Sequence, residues 1–227
     1  MDDNKINKNM TTNKQETQPT VQVQKQPDEK GGIYLQGHIK IFDPETQEIF
    51  VDKRNAIHYE NMSEALALNV ANKGYGFISE MHFGNGGTTV DPTGVITYLP
   101  TNTNVQNADL YSPQYYKIVD DTNAANSDPN RNKLSVIHTP GNVYTDIVIS
   151  CLLDYGEPSG QAVFDNSQDL SGDFVFDELG LKGYSLNGEG LGKLLTHVIF
   201  SPVQKSLNRL IQIDYTVRIQ TLTNLTA

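Results

Sequence analysis

Ile211-Gln212-Ile213-Asp214-Tyr215-Thr216-Val217-Arg218-Ile219 decides the fold class. Every odd position is apolar and every even one is polar. That period of two places one row of side chains in a core and the other toward water, as a half-buried β-strand requires. Residues 143–153 repeat the pattern, with Val143, Thr145, Ile147, Ile149, Cys151 and Leu153 on one face. Leu194 to Phe200 supplies a further strand, expected to end at Pro202 because proline cannot donate to a ladder. Residues 38–51 read as a hairpin: His38 to Phe42 runs out, Asp43-Pro44-Glu45-Thr46-Gln47 turns, and Glu48 to Val51 returns.

One helix is expected, over 61–73. Asn61 followed by Glu64 has the spacing of a capping box, Ala65, Leu66, Leu68, Val70 and Ala71 pack, and Lys73-Gly74 suits a C-terminal end. Residues 77–83 alternate as another strand and run into Gly84-Asn85-Gly86-Gly87. From 84 to 132 the chain is rich in Asn, Thr, Asp, Pro and Gly and reads as long loops, with short strands at 95–99 and 115–119. Strands and helices do not alternate regularly, which excludes a doubly wound parallel sheet. The expected architecture is mainly β: a jelly-roll-like antiparallel β-sandwich with one main helix and long loops at 84–132 and 156–172.

The body is expected to span 33–227, behind an arm of residues 1–32. Apart from Met1, that arm holds only Ile6, Met10, Val21 and Val23 as aliphatic residues, no aromatic, and five Lys against five acids. It buries too little apolar surface to offset its ordering entropy and is expected to be disordered when free; an inert tail is the commoner reading, and an arm that orders on a neighbouring subunit is the functional one.

Across the 227 residues, 17 Lys and Arg stand against 27 Asp and Glu, a net charge of −10 that falls entirely in the body. An acidic surface repels a nucleic-acid backbone and an anionic membrane, so neither is expected as a partner. No run is apolar enough to span a bilayer. A single cysteine, Cys151, excludes an internal disulfide and a cysteine-built zinc site. These features fit an acidic, soluble, intracellularly made protein.

Motifs for chemistry are sparse. Gly84 to Thr89 lacks the lysine of a phosphate loop, and turn glycines are the expected reading. Gly188-Glu189-Gly190-Leu191-Gly192-Lys193 lacks the glycine spacing, has Leu194 where Ser or Thr would bind magnesium, and is read as a flexible hairpin tip. His38, His58, His82, His138 and His197 are scattered, so no metal is expected. Asp165, Asp169, Asp173, Asp177 and Glu178 recur without the alternate-residue spacing of a calcium loop. They read as a solvated loop entering a strand. No G-x-S-x-G elbow occurs. Neither catalytic residues nor a cofactor is expected.

The order of pieces carries more than any one of them. The helix leads into Ile78-Ser79-Glu80-Met81-His82-Phe83-Gly84-Asn85-Gly86-Gly87; later come Phe176-Asp177-Glu178-Leu179-Gly180-Leu181, then Leu195 to Phe200, Ser201-Pro202-Val203-Gln204-Lys205-Ser206 and the alternating strand 209–220. Over roughly 55–220 this resembles the virion-anchoring domain at the start of tailed-bacteriophage tail-fibre and collar-fibre proteins. Those domains share a helix, a strand ending in a Leu/Phe-Gly-x-Gly turn, a Glu-Ile/Leu-Gly-Leu segment and a Pro…Lys stretch before a long strand.

The resemblance implies a virion structural protein, made in the host bacterial cytoplasm. It would be a neck, collar or tail-junction component that forms a homo-oligomeric ring and holds connector, tail or fibre proteins. On this reading Gly84, Gly86 and Gly87 turn a strand, Gly180 makes a turn or bulge, Glu178 satisfies backbone amides beside it, and Lys205 closes the matched stretch. Phage fibres continue into a shaft, whereas this chain stops at Ala227, which favours a free-standing module. Tyr111, Tyr115 and Tyr116 fit an interface equally with a cover for the domain's own core. The alternatives are a baseplate or capsid-decoration protein, a carbohydrate- or receptor-binding sandwich, and a hydrolase if paired carboxylates converge in a cleft.

Overall fold

The computed structural model describes residues 31–158 and 173–223. Eleven strands and one helix follow one another as β1 (Gly31–Phe42), β2 (Ile49–Ile57), α1 (Tyr59–Val70), β3 (Ile78–Gly84), β4 (Thr88–Val90), β5 (Ile96–Tyr98), β6 (Pro113–Ile118), β7 (Lys133–Ile137), β8 (Tyr144–Leu153), β9 (Asp173–Gly183), β10 (Leu194–Ser206) and β11 (Ile211–Thr223). Nine strands form one antiparallel sheet in the order β6-β3-β9-β10-β2-β1-β11-β8-β7, and β4 pairs with β5 in a small ribbon.

The sheet curls into two facing layers, and β2 is the corner. Its first part pairs with β1, while Ala56 and Ile57 pair with β10. Between the layers, Ile39, Ile41, Ile149, Cys151, Ile213 and Tyr215 meet Met81, Phe83, Leu179, Leu181, Val198 and Phe200 in a single core. Full burial of each such side chain contributes about 1.5–3 kcal/mol. The odd positions of β11 from Ile211 to Val217 lie in this core, as their alternation predicts. The chain is thus mainly β and sandwich-like with one helix.

Several boundaries move, each for a physical reason. β1 begins at Gly31 because Gly31 and Gly32 pair with Thr223 and Leu222, so the body starts before residue 33. The disorder expected of the arm concerns residues outside those described, as do Asp165, Asp169 and most of the 156–172 loop. The helix starts at Tyr59, and its N-cap is His58, whose Nδ1 accepts the Asn61 N–H. No Asn61–Glu64 capping box forms: Asn61 lies within the helix and Glu64 pairs with Lys193 at 2.5 Å. Pro202 does not end β10. The β9–β10 register slips between Ile199 and Val203, and that bulge takes up the proline without costing a ladder donor. The long 84–132 stretch holds β4, β5 and β6, and the exposed β7 follows it.

Candidate functional site

In β3 and β9 the odd residues Met81, Phe83, Leu179 and Leu181 enter the core. The even residues Glu80, His82, Gly84, Glu178, Gly180 and Lys182 therefore occupy the opposite face. Register aligns them into rows: His82 and His197 both lie opposite Gly180, Glu80 lies opposite Lys182, and Gly84 opposite Glu178. Alternation alone would leave this face wet. Instead every one of these residues is buried, because chain from the 99–112 and 184–193 connections lies over them.

Two carboxylate–imidazole pairs form beneath that cover. Glu178 Oε2 accepts from His197 Nε2 at 3.0 Å, and Glu80 Oε2 from His82 Nε2 at 2.7 Å. Glu178 is fully buried and also accepts three backbone N–H groups: Gly86 at 3.1 Å and Ser112 at 2.8 Å on Oε1, and Tyr111 at 2.9 Å on Oε2. Beside it, Asp177 Oδ1 accepts the Gly87 N–H at 2.9 Å, and Oδ2 accepts both the N–H and the hydroxyl of Thr88. These adjacent acids are strand residues that clamp two loops to β9. They are not the solvated loop that their spacing predicts.

The electrostatics follow from burial set against hydrogen bonding. Burial raises the Glu178 carboxyl pKa, but His197 and the Ser112, Tyr111 and Gly86 amides outweigh it and hold the group below its ordinary value. Burial also works against ionised Glu80, and His82 with the Gly190 amide again reverses the direction. His82 is itself pushed down by burial, more than Glu80 restores, so a neutral imidazole donates to an ionised carboxylate. In the other pair, Asn102 N–H donates to His197 Nδ1 at 2.8 Å, which leaves the imidazole proton on Nε2, facing Glu178.

The same segment is gripped at further points. His58 Nε2 reaches the Val105 carbonyl at 2.8 Å, Asn61 Nδ2 donates to the Gln106 carbonyl at 3.1 Å, and Lys182 Nζ pairs with Asp109 at 2.8 Å. A stretch without regular structure is thus fixed along its length by buried polar groups from α1, β9 and β10. Its outer surface is partly apolar: Leu99, Val105 and Tyr111 are exposed, as are Val90, Val95 and Tyr98 of the adjoining β4–β5 ribbon.

The glycines act differently from their expected roles. None of Gly84, Gly86, Gly87 and Gly180 has a positive φ. What each provides is close approach: a Cβ on Gly84 would stand 2.4 Å from Glu178 Oε1, on Gly86 2.7 Å from Tyr111 Cβ, and on Gly87 2.8 Å from Ile199 Cγ2. A Cβ on Gly180 would come within 2.6 Å of Leu194 Cδ1 and 2.8 Å of the Thr196 carbonyl. Gly180 is mid-strand, with no bulge at its position. The 188–193 turn joins β9 to β10 and is tied down, since the Gly190 N–H donates to both Glu80 oxygens at 3.0 Å.

All three tyrosines contact their own domain. Tyr115 packs on Phe83 at 6.1 Å between centroids, Tyr116 stacks on His82 at 5.3 Å, and the Tyr111 ring lies 5.9 Å from His197. Their hydroxyls extend the cover, Tyr111 to the Pro100 carbonyl and Tyr116 to Glu189. Lys205 stands apart from this group. Fully buried on the far side of the bulge, it donates to the Ser206 carbonyl at 2.6 Å, and burial holds its pKa down at about 8 against the pull of Glu157 and Asp154.

Glu80, His82, Asp177, Lys182 and His197 were not singled out as a set by the sequence. Their signal is the Glu-x-His spacing at 80–82 and the acid and lysine at 178 and 182, all on one strand parity. A carboxylate–imidazole pair is the usual apparatus of a general base. Here Glu178 and both nitrogens of His197 are committed to fixed protein partners, so the arrangement anchors chain. Among the described residues no group of three His, Cys, Asp or Glu side chains converges as a metal site would. No protein-family model matches the sequence, and no curated protein or solved structure is detectably similar to it.

Proposed function

We propose that this protein is a structural subunit of a tailed-bacteriophage virion, a neck, collar or tail-junction component that assembles into a ring and anchors neighbouring proteins or fibres. The observation that carries this reading is the 99–112 segment. Buried groups on three elements hold it in place, while Leu99, Val105 and part of Tyr111 on it are exposed. Fixing a long loop in advance lowers the ordering cost of docking it, and exposed apolar residues on a fixed surface suit a protein–protein contact. The resemblance of the helix, the Gly84–Gly87 turn, the Glu178–Leu181 segment and the closing strand to virion-anchoring domains supports the same assignment.

The test is direct. Antibody raised against the purified protein, applied to intact phage particles and imaged with gold, should label a ring between head and tail. Val95→Asp with Tyr98→Ser on the β4–β5 ribbon should leave the soluble protein folded and remove it from particles. Absence of the protein from purified particles by mass spectrometry would end this reading.

A further inference from the structure

At one end of the two layers, a groove of about 400 Å³ lies between α1 and the inner face of β11, β8 and β7. Leu66, Leu134, Val136, Ile147, Val217 and Ile219 form most of its walls. Val136 is 72% exposed although it belongs to the inward row, paired with Ile147 and through it with Val217. The adjoining β7 is the last strand of the sheet, so among the described strands its outer edge is open.

Two acids line the same groove. Asp120 and Asp121 follow β6, the strand at the opposite end of the sheet order, and so face β7 from the other layer. Asp120 is only 7% exposed, and its Oδ1 accepts the N–H and the hydroxyl of Thr122 at 2.9 and 2.7 Å. Among the described residues no lysine, arginine or histidine forms an ion pair with either acid. A carboxylate buried to that degree is ordinarily paired. The groove thus combines an apolar wall, an open ladder and negative charge that the body leaves uncompensated.

We propose that this groove takes an extended segment of another protein, added beside β7, with apolar residues at alternate positions and a lysine or arginine in that same row. Its backbone pairs with the open edge, and its apolar side chains cover Val136 and Leu134. The cationic side chain lays its stem along the apolar wall and brings its head to Asp120 and Asp121. A second copy of this chain fits less well. The inward row of its β7 reads Asn132, Leu134, Val136 and His138, while Arg131 and Lys133 stand on the other parity. The charge that the groove calls for comes from a different sequence. This inference concerns the groove alone and holds whichever assembly the protein belongs to.

Fluorescence anisotropy with the full-length protein and a labelled peptide tests it. The peptide reads lysine, threonine, valine, threonine, valine, threonine, lysine, so its inward row is the same in either strand direction. It should bind at least tenfold more tightly than the same peptide with glutamate for both lysines. N-methylation of its valine and threonine amides removes the ladder donors and should abolish binding. Asp120→Asn with Asp121→Asn should bring the two peptides together, and Asp121→Asn alone, at an exposed position, should at least halve the preference. Val136→Ser, also exposed, should weaken the lysine peptide at least threefold with the circular dichroism of the wild type. No saturable binding, equal binding of the two peptides, binding that survives N-methylation, or a wild-type preference and affinity in these variants overturns the proposal. A wild-type protein that sediments as a dimer and becomes monomeric on Val136→Arg also overturns it, and assigns the edge to a second copy. Absence of the protein from phage particles would leave all of these results unchanged.

Discussion

Glu178→Gln is the sharpest probe of the buried clamp, because it keeps shape and removes only charge and one acceptor. The carboxylate faces four donors, two on each oxygen. In one amide orientation the new NH₂ confronts the Gly86 and Ser112 N–H groups. In the other it confronts the Tyr111 N–H and His197 Nε2. His197 offers no escape by changing tautomer, since a proton on Nδ1 would meet the Asn102 N–H. Either way two charge-assisted hydrogen bonds are lost, at about 1.5–3 kcal/mol each. Relief of the desolvation cost of a buried charge returns part of that. The expected net loss is about 3–4 kcal/mol, or roughly 6–16 °C in Tm for a domain of this size. Urea unfolding followed by circular dichroism measures it, and hydrogen exchange should rise first at Tyr111 and Ser112. A variant within about 1 kcal/mol of wild type, with those amides still protected, refutes the clamp.

Three further perturbations follow from the same geometry. Gly180→Ala should destabilise by about 1–3 kcal/mol through overpacking against Leu194 and the Thr196 carbonyl, read from the denaturation midpoint. His82 is kept neutral by burial, whereas the unfolded chain takes up a proton near the ordinary imidazole value of about 6.5. Stability should therefore fall as pH drops below that value, then fall further below about 4.3 as Glu80 and Glu178 lose their bonds. A flat profile between pH 7 and 5, or one unchanged in His82→Gln, would contradict this. The folded Lys205 gives up its proton near pH 8 while the unfolded one holds it to about 10.4, so its contribution to stability should rise with pH across that interval. Lys205→Met should abolish the rise and leave stability at pH 7 equal or higher.

What the sequence made legible depended on whether a single strand carried the information. β11 announces itself because one face is in the core and the other meets water, so its alternation is complete from Ile211 to Ile219. β3 alternates just as regularly, yet all seven of its residues are buried. Nothing within Ile78–Gly84 tells that a loop some twenty residues further on will cover its polar face. The same long-range fact hid the roles of Asp177 and Glu178, which look solvated until Gly86, Gly87, Tyr111 and Ser112 are brought over them. Gly84 and Gly180 read from sequence as points where the backbone bends, because sequence displays a glycine's freedom and hides the neighbour that forbids a side chain. His58 carries no capping signal in sequence because imidazole is an uncommon cap, and Pro202 stays within β10 because a register slip around it absorbs it.

The pairing of Gly31 with Thr223 has a mechanical consequence. Entry and exit of the body are neighbours on adjacent antiparallel strands, whose hydrogen bonds run across the ladder. Tension applied between those two points would load the bonds one after another, opening β1 from β11 like a zip, where a shear pull would strain them all together. A body tethered through both ends would peel at low force, whereas one gripped by its covering loop would bear load through the core.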